Sequence, residues 1–443
     1  MYLEESIRRF AHTSPERVAV VDGERFISYS TLWQMIEERR EQLQSSSLRP
    51  HRPFVFRTTQ SVEFLITYCA VHCANAIAVP LESKIPEAAL LTIKQEVESC
   101  EFDETTYDIL YTTGTTGKSK GVMLPVRALD ACTENFLATM PFSEDLLFVI
   151  SGPLNHIASL LKLHPTLNVG GAICILDGLR DVNTLFDTLN LPFKKFATFL
   201  VPASIHLLLQ LAYDKLCQAS DKISFIETGA APITKQDMEQ LCKALPNSRL
   251  YNTLGATEMG AVCTYDFNDG RHIEGCVGYP LKTSNVEISL EGNIIVSGKT
   301  LMLGYVGDEE NTRKVLKDGK IHTSDLGYID EEGMLHIRGR EGDVINMGGF
   351  KVDPTEVESA AASHPEIQDC ICIAATHPVI GTVLKLLAVP REGCEPNART
   401  VARHIKSLLE PYKVPTYYEF VESIRRTYNG KLDRKFYKES LSK

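Results

Sequence analysis

Short apolar runs alternate with longer stretches of helical periodicity over the middle of the chain, between residues 105 and 305. The runs are rich in Ile, Leu, Val and Phe and have the length and composition of strands. They occupy residues 109–111, 146–150, 172–176, 196–200 and 224–227. Strands that alternate with helices are typical of βα units, so this pattern predicts a largely parallel sheet.

The start of the chain carries a different pattern. Residues 18–21 and 26–29 are apolar runs separated by Asp22-Gly23, which predicts a β-hairpin with a turn between its strands. Ser30 follows in the position of a helix N-cap, so we expect a helix to begin there. Farther along, residues 61–79 predict a strongly apolar helix that leads into another short strand-like run.

The pattern changes twice toward the C-terminus. Closely spaced strands with glycine turns over residues 276–338 predict a small antiparallel sheet or barrel. After Gly339-Arg340 the chain restarts as a compact unit of strands and a helix, which has the size of a separate domain. We therefore predict domains 1–340 and 341–443. The expected fold is α/β, with a large N-terminal domain of mainly parallel βα subdomains plus a small antiparallel β subdomain, and a small α+β C-terminal domain.

Composition and charge exclude several classes of protein. The chain has 443 residues, of which 44% are hydrophobic and 23% are charged, as in ordinary globular proteins. Its 46 basic and 57 acidic residues give a net charge of −11, so nucleic acid is not an expected partner. No apolar stretch is long enough to predict a membrane span. A start without a secretory pattern and twelve cysteines predict free thiols and a cytoplasmic protein.

One cysteine and histidine cluster resembles a metal site at first sight. Cys69, His72 and Cys73 lie at helical spacing inside the apolar stretch 61–79. The sequence shows no second pair of ligands to complete a site with them, and structural zinc sites need four ligands. We therefore expect these three residues to belong to the core.

A glycine- and threonine-rich stretch at residues 111–122 carries the clearest chemistry. It follows a strand-like run and contains Gly, Thr and Lys in close succession, which suits a loop that binds phosphate through amides, hydroxyls and an ammonium group. The sequence Gly117-Lys118-Ser119 is reminiscent of a P-loop, but the P-loop pattern requires Gly where Thr112 stands. A solvated loop without a ligand is the alternative.

This stretch is similar to the phosphate-binding signature of the adenylate-forming superfamily, which comprises acyl-CoA synthetases, carrier-protein-loading adenylation domains and firefly-type luciferases. Further motifs resemble those of the superfamily and follow in its order. They are residues 254–258, 323–325, 339–340 with 348–354, and 429–435, with weaker matches at 27–32 and 64–80. The resemblance thus covers almost the whole chain.

The resemblance implies a set of site residues. Lys431, Glu258 and His156 would be catalytic, with Lys431 bridging a carboxylate and the α-phosphate of ATP, and with His156 gating between two half-reactions. Glu258 and Thr116 would bind Mg²⁺. The residues implied for the nucleotide and for a pantetheine arm are Thr112, Thr113, Gly114, Thr115, Thr116, Gly117, Lys120, Gly229, Ala230, Ala231, Leu254, Gly255, Ala256, Thr257, Asp325, Arg340, Gly348, Gly349 and Lys351.

Each of the main site residues also has a purely structural interpretation. Glu258 could be an exposed acid after a loop, Asp325 a turn cap, Arg340 a member of a surface ion pair, and His156 a core histidine. Gly348 and Gly349 are equally compatible with a tight hairpin turn. A C-terminal lysine such as Lys431 is usually solvated, and only its motif suggests otherwise.

Leu254 and Gly342 are two of the positions that depart from the superfamily pattern. Leu254 stands where a tyrosine usually stacks beside adenine, and a leucine stacks with less specificity. Gly342 stands where a hinge Asp or Lys is usual, and glycine permits wide changes of dihedral angle.

The substrate is predicted from the residues aligned with the acid pocket. Ile157 occupies the position at which amino-acid-activating members keep an Asp, so an amino acid substrate is not expected. The predicted lining of Ile157, Ala158, Val201 and Gly229 is small and apolar, which favours an aryl or aliphatic carboxylic acid.

The predicted function is that of an ATP- and Mg-dependent acid–thiol ligase. It would form an acyl-adenylate with release of pyrophosphate and then an acyl thioester, with coenzyme A as the expected acceptor. One alternative is a ligase that loads the phosphopantetheine of a separate acyl carrier protein. Another, from a different class, is an inactive nucleotide-binding scaffold that has kept the fold.

Overall fold

The computed structural model describes residues 2–46, 48–112, 119–179, 181–347, 350–379, 381–427 and 432–440. The chain forms two compact units. The first contains Met1–Glu287 and Ile295–His322, and the second contains Ile288–Ile294 and Thr323–Lys443. The domain boundary predicted at 340/341 lies within the second unit, and the domain limits stay a prediction.

The described helices and strands follow one another in the alternation that the sequence predicts. The helices are α1 (Leu3–Thr13), α2 (Tyr29–Ser45), α3 (Val62–Cys73), α4 (Glu87–Glu98), α5 (Val126–Thr139), α6 (Ile157–Asn168), α7 (Val182–Thr188), α8 (Pro202–Leu211), α9 (Tyr213–Ala219), α10 (Lys235–Ala244), α11 (Glu309–Val315), α12 (Pro354–Ala362), α13 (Ala398–Leu408) and α14 (Arg434–Ser440). The strands are β1 (Val18–Asp22), β2 (Arg25–Ser28), β3 (Pro53–Arg57), β4 (Ile77–Leu81), β5 (Thr106–Thr112), β6 (Lys120–Pro125), β7 (Leu146–Ile150), β8 (Ala172–Ile175), β9 (Lys195–Leu200), β10 (Ile223–Gly229), β11 (Arg249–Ala256), β12 (Gly260–Asp266), β13 (Cys276–Pro280), β14 (Ser284–Ile288), β15 (Asn293–Gly298), β16 (Gly304–Tyr305), β17 (Leu316–Lys317), β18 (Lys320–Ile329), β19 (Leu335–Arg340), β20 (Ile345–Met347), β21 (Phe350–Val352), β22 (Ile367–His377), β23 (Gly381–Pro390) and β24 (Tyr417–Phe420).

A large sheet forms the centre of the first unit. Its strand order includes β13-β12-β11-β10-β9-β7-β8-β1-β2, and the pairs from β11 through β10, β9, β7 and β8 to β1 are parallel. Every residue of β7 is buried, as expected for a strand inside a parallel sheet that helices cover. The helix α6 packs on β7 and β8, and α8 packs on β9.

A second, smaller sheet in the same unit has the order β16-β6-β5-β4-β3. The strands β3, β4 and β5 are parallel, whereas β5 and β6 are antiparallel neighbours. Residues 113–119 lie between β5 and β6 in the sequence, so this sheet carries both ends of the predicted phosphate loop.

The second unit contains the sheet β22-β23-β24. Its core joins this sheet to α12 and α13 through Val357, Leu384, Leu386, Val401 and Ile405. The hairpin β20–β21 and the antiparallel pair β18–β19 belong to the same unit. The predicted fold class, a mixed α/β chain with a small α+β C-terminal part, is confirmed.

The predicted hairpin and strands are also confirmed, but one cap is wrong. The strands β1 and β2 pair antiparallel as expected. The following helix begins at Tyr29, and the side chain of Ser28, not that of Ser30, accepts the N–H of Thr31 at 3.2 Å. The hydroxyl of Ser30 instead donates to the carbonyl of Pro15 at 2.9 Å. The strand β2 therefore ends directly at the cap residue, two residues earlier than predicted.

The cysteine and histidine cluster lies in α3. Cys69 and His72 are buried, and the two ring nitrogens of His72 lie 3.0 Å from carboxylate oxygens of Glu4 and Asp108. His72 thus links α3 to α1 and to β5. Among the described residues, no helix is both long and apolar enough to cross a membrane.

Candidate active site

Three strands of the first unit end beside predicted site residues. The strand β5 ends at Thr112, β10 ends at Gly229, and β11 ends at Ala256. Because β10 and β11 are parallel with Gly229 opposite Thr253, the predicted residues of these two strands lie at one edge of the large sheet. Ligands of α/β proteins bind at such carboxyl edges.

The end of β10 has an unusual backbone. A Cβ at Gly229 would lie 2.5 Å from the carbonyl oxygen of Thr253, so only glycine fits there. The next residue, Ala230, has a φ of 68°, which lies in the left-handed region that costs a residue with a side chain about 1 kcal/mol or more. Strain of this kind clusters at binding sites, and it falls on the predicted segment 229–231.

Glu258 lies in the turn between β11 and β12, where it has a partner that sequence reasoning missed. The hydroxyl of Tyr305 donates a hydrogen bond to Glu258 Oε1 at 3.0 Å. The ammonium group of Lys120 lies 4.8 Å from the centre of the Tyr305 ring. Burial, followed by the charge of Glu258 and this hydrogen bond, raises the pKa of Tyr305. Tyr305 therefore stays a hydrogen-bond donor at neutral pH.

This arrangement fits a magnesium ion and a phosphate chain. Glu258 is only partly buried, and carboxylate oxygen is a preferred ligand of Mg²⁺. Lys120 begins β6, and the hydroxyl of Ser119 donates to the carbonyl of Thr112 at 2.9 Å across the two ends of the loop. Glu258 and Lys120 thus lie close to the described ends of the predicted phosphate loop. Residues 113–118 of that loop fall outside the described residues.

The other residues of the 254–258 motif are divided between surface and interior. Leu254 and Ala256 are half-buried and Gly255 is exposed. Thr257 is buried and lines a narrow apolar seam together with Ile157 and Leu161. A predicted nucleotide residue and a predicted substrate residue are thus brought together.

The proposed acid pocket begins at the N-terminus of α6. His156 is the N-cap residue, and its carbonyl accepts the N–H groups of Ser159 and Leu160. Ile157 is buried and Ala158 is half-buried. Val201 is likewise the N-cap residue of α8.

In the second unit, the two predicted ribose residues are direct neighbours. Asp325 and Arg340 face each other across β18 and β19, and Arg340 Nε donates to Asp325 Oδ1 at 2.7 Å. The side chains are 20% and 45% exposed, respectively. Both can therefore reach a ligand while they hold each other in place.

Several predicted residues lie outside the described part of the chain. They are Thr113, Gly114, Thr115, Thr116, Gly117, Gly348, Gly349 and Lys431. For Lys351 the structure describes the backbone, which pairs with Asn346 in the hairpin β20–β21. The roles of all these residues stay predictions.

Sequence reasoning also missed a buried ion pair. Lys162 Nζ of α6 lies 2.5 Å from Glu227 Oε2 of β10, and both side chains are almost fully buried. Burial lowers the pKa of Lys162. The signal in the sequence is a single charged residue in each of two largely apolar segments. These are Lys162 in residues 157–163 and Glu227 at the end of residues 223–227.

Comparison with known proteins identifies the relatives of this chain. The model of the AMP-binding enzyme family matches residues 7–101 and 95–306, and the model of the AMP-binding enzyme C-terminal domain matches residues 356–431. A long-chain-fatty-acid–CoA ligase of Bacillus subtilis is 29% identical over 343 residues, which cover 73% of this chain and 60% of that protein. A feruloyl-CoA synthase of Amycolatopsis is 25% identical, with 96% of each chain covered. The chain thus spans about 60% of the length of the Bacillus ligase and nearly all of the synthase.

Solved structures share the fold. ATP-bound MatB from Rhodopseudomonas palustris has a TM-score of 0.89 at 22% identity, with 99% of each chain covered. MenE from Bacillus subtilis, an O-succinylbenzoate coenzyme A synthetase solved with ATP and magnesium, has a TM-score of 0.85 at 22% identity and 99% coverage of each chain. With two family models matched along most of its length, this chain belongs to the AMP-binding enzyme family.

Proposed function

We propose that the protein is an ATP- and Mg-dependent carboxylic acid ligase. It joins an aryl or aliphatic acid to AMP with release of pyrophosphate and then transfers the acyl group to the thiol of coenzyme A. The observation that carries this proposal is the contact of Glu258 with Tyr305 beside Lys120, at the base of the predicted phosphate loop. An acid that can hold Mg²⁺ and a cation that can meet phosphate are what the adenylation of a carboxylate requires at this point.

The first half-reaction brings a carboxylate against a phosphate chain, and both are negative. Lys120 supplies positive charge next to the loop, where a unit-charge pair ~4 Å apart interacts by about 4 kcal/mol at an effective dielectric constant of 20. Glu258 would hold Mg²⁺ together with Thr116. The ion, when bound, neutralises charge on the phosphate oxygens. Tyr305 fixes the orientation of the Glu258 carboxylate through its hydroxyl.

Lys431 is the proposed catalytic lysine, and described residues on both sides of it in the sequence form ion pairs. Arg434 binds both carboxylate oxygens of Glu358, at 2.9 and 2.5 Å, and Arg425 Nε donates to Asp433 Oδ2 at 3.0 Å. Two of the residues that follow Lys431 are thus tied to the second unit. We propose that the predicted C-terminal domain, residues 341–443, acts as a mobile lid and that Asp325 and Arg340 hold the ribose.

The second half-reaction is proposed from the relatives and the motifs. The relatives named above are a CoA ligase and a CoA synthase, which supports coenzyme A as the acceptor. Gly348 and Gly349 would line the path of its pantetheine arm, with Lys351 beside it, and His156 would gate between the two steps. Residues 429–435 resemble carrier-loading enzymes, so an acyl carrier protein is the alternative acceptor. None of the twelve cysteines, all of which the structure describes, forms a disulfide, which supports a reducing, cytoplasmic location.

The experiment is a pyrophosphate-release assay with the full chain, Mg-ATP and a panel of aryl, short-chain and long-chain acids. We expect acid-dependent release, followed by thioester formation when coenzyme A is added. Glu258→Gln should lower the rate by roughly 10²-fold or more, the scale of one lost electrostatic contact in a transition state. Thioester formation only with a carrier protein would favour the alternative acceptor. No acid-dependent release with any acid would contradict the ligase and favour the inactive scaffold.

A further inference from the structure

The ion pair of Lys162 and Glu227 is deeply buried and lies outside the proposed nucleotide site. The side chains are 2% and 1% exposed, and Lys162 Nζ lies 2.5 Å from Glu227 Oε2. The ammonium group also lies 3.7 Å from the centre of the Phe136 ring and 5.5 Å from that of Phe199. Two charges are thus enclosed by aromatic rings in the interior of the first unit.

The pair adjoins both walls of the proposed acid pocket. On α6, Lys162 follows Ala158 by four residues, so the two share one face of the helix. On β10, Glu227 lies two residues before Gly229. Phe199 joins the two sides, because its ring lies 3.7 Å from the place that a Cβ of residue 229 would occupy and also faces Lys162.

Stability does not explain why the chain keeps this pair. Removing two charges from water costs several kcal/mol for each ion, and apolar residues of similar volume are often as stable or more so. The neighbouring hydroxyl of Thr228 is also buried and has no hydrogen-bond partner among the described residues. A buried polar group without a partner calls for an explanation, and a polar group of a ligand could supply the missing hydrogen bond.

The charges restrict which ligand the pair can accept. A second carboxylate on the acid would place two anions beside one ammonium group, and a substrate ammonium would place two cations beside one carboxylate. Either leaves an uncompensated buried charge. An uncharged hydroxyl can donate to Glu227 and accept from Lys162 at the same time, and it leaves the pair neutral.

We infer that the acid substrate carries an uncharged hydroxyl group at the end remote from its carboxylate, and that Lys162 and Glu227 select it. This inference rests on the proposed ligase function and names the substrate class of that same site. Phe199 supplies an apolar face for the body of the acid, so the pocket takes a hydroxylated aryl or alkyl acid in preference to a plain acid or a dicarboxylate.

The test compares acids that differ only at the remote end. The probes are cinnamic, 4-hydroxycinnamic and 4-carboxycinnamic acids, and hexanoic, 6-hydroxyhexanoic and hexanedioic acids. In at least one series, we expect the hydroxylated acid to have a kcat/KM for pyrophosphate release roughly 10- to 100-fold above both others, the scale of one hydrogen bond to a charged group. In Lys162→Met/Glu227→Met, that preference should fall to about 3-fold or less while the plain acid is still activated.

The matched control is Lys282→Met/Glu134→Met. It removes a Lys–Glu pair with an Nζ–Oε1 distance of 2.7 Å and exposed side chains, and it should leave the preference unchanged. If the buried double variant fails to fold, Glu227→Gln replaces it, and the selectivity of the wild-type chain alone still decides the matter. Equal or higher kcat/KM for plain acids or dicarboxylates in both series overturns the inference, as does a preference that survives in the folded buried variant.

Calorimetric titration of the same acids separates this inference from the ligase proposal. A chain that binds the hydroxylated acid more tightly but releases no pyrophosphate contradicts the ligase and supports the selectivity. A chain that releases pyrophosphate without any preference for the hydroxyl supports the ligase and overturns the selectivity. A chain that binds none of the acids overturns both.

Discussion

Glu258 and Asp325 each have one carboxylate oxygen committed to a neighbouring side chain. Tyr305 donates to Glu258 Oε1, and Arg340 donates to Asp325 Oδ1. Such contacts fix the direction of a carboxylate before a ligand arrives, which lowers the entropy lost on binding. At the scale of single residues, the candidate site therefore depends on the hydrogen-bond donors Tyr305 and Arg340 as much as on the carboxylates that they orient.

Tyr305→Phe tests this idea because it removes the hydroxyl and keeps the ring beside Lys120. We expect the Mg²⁺ concentration for half-maximal pyrophosphate release to rise roughly 10-fold, since a hydrogen bond to a charged group is lost. Binding of Mn²⁺ in the presence of ATP, followed by electron paramagnetic resonance, should weaken in parallel.

Tyr265→Phe is the control for that substitution. It removes an equivalent hydrogen bond from a tyrosine hydroxyl to Asp269 Oδ1 at 2.8 Å, and it should leave both measurements as in the wild type. Unchanged metal dependence in Tyr305→Phe, or the same change in both variants, would show that the hydroxyl does not position Glu258.

At the scale of elements, α1, α3 and β5 meet at the buried His72. Burial lowers the pKa of His72, but its hydrogen bonds with Asp108 and Glu4 and their charges outweigh this effect and raise the pKa to about 9. The strand β5 continues directly into the predicted phosphate loop. A protonated His72 between two carboxylates therefore fixes the strand that carries the loop.

The stability of the chain should depend on pH through this residue. Because the folded-state pKa of His72 exceeds its unfolded value near 6.5, its contribution is complete below pH 6.5 and is lost as the pH rises toward 9. The difference is about 3 kcal/mol at most. Chemical unfolding between pH 6 and 9.5 should show a steeper loss for the wild type than for His72→Gln. Parallel pH profiles would contradict the contribution.

A close contact joins the end of β19 to the start of α12. A Cβ at Gly339, whose φ is 156°, would overlap the carboxylate of Asp353, the N-cap of α12. At Gly342, by contrast, a Cβ would have open space around it. Within the second unit, the position of α12 thus depends on the absence of a side chain at residue 339.

Gly339→Ala should therefore lower the free energy of unfolding by about 2–4 kcal/mol, as overpacking and backbone strain combine. Gly342→Ala should change it by less than about 1 kcal/mol. Thermal unfolding of the two variants, three residues apart, provides the comparison. Equal melting temperatures would mean that α12 can shift to make room for a side chain at residue 339 without loss of stability.

At the scale of the whole molecule, the sequence predicts the fold well where apolar periodicity decides it. The runs that form β7, β9 and β10 are mostly apolar because both faces of these strands are largely buried, and their positions are predicted within a residue or two. The cap of α2 was misplaced, since Ser28 and Ser30 have the same side chain and only the end of β2 decides between them.

The candidate site could be predicted only where a motif marks it. Glu258, Asp325 and Arg340 stand in recognisable motifs, and the structure places the last two in contact. Tyr305 and the pair of Lys162 and Glu227 depend on contacts between distant segments, which no local pattern contains. A charged residue inside an apolar run was the one local sign of that pair.

The most direct test of the adenylation proposal is acid-dependent exchange of labelled pyrophosphate into ATP by the full chain. We predict exchange that requires an acid and Mg²⁺ and that falls by roughly 10²–10³ or more in Lys431→Ala, the scale of losing a key electrostatic contact. Lys435→Ala, four residues along the same motif, should keep a rate close to that of the wild type. Exchange at the wild-type rate in Lys431→Ala, or none with any acid, would contradict the account.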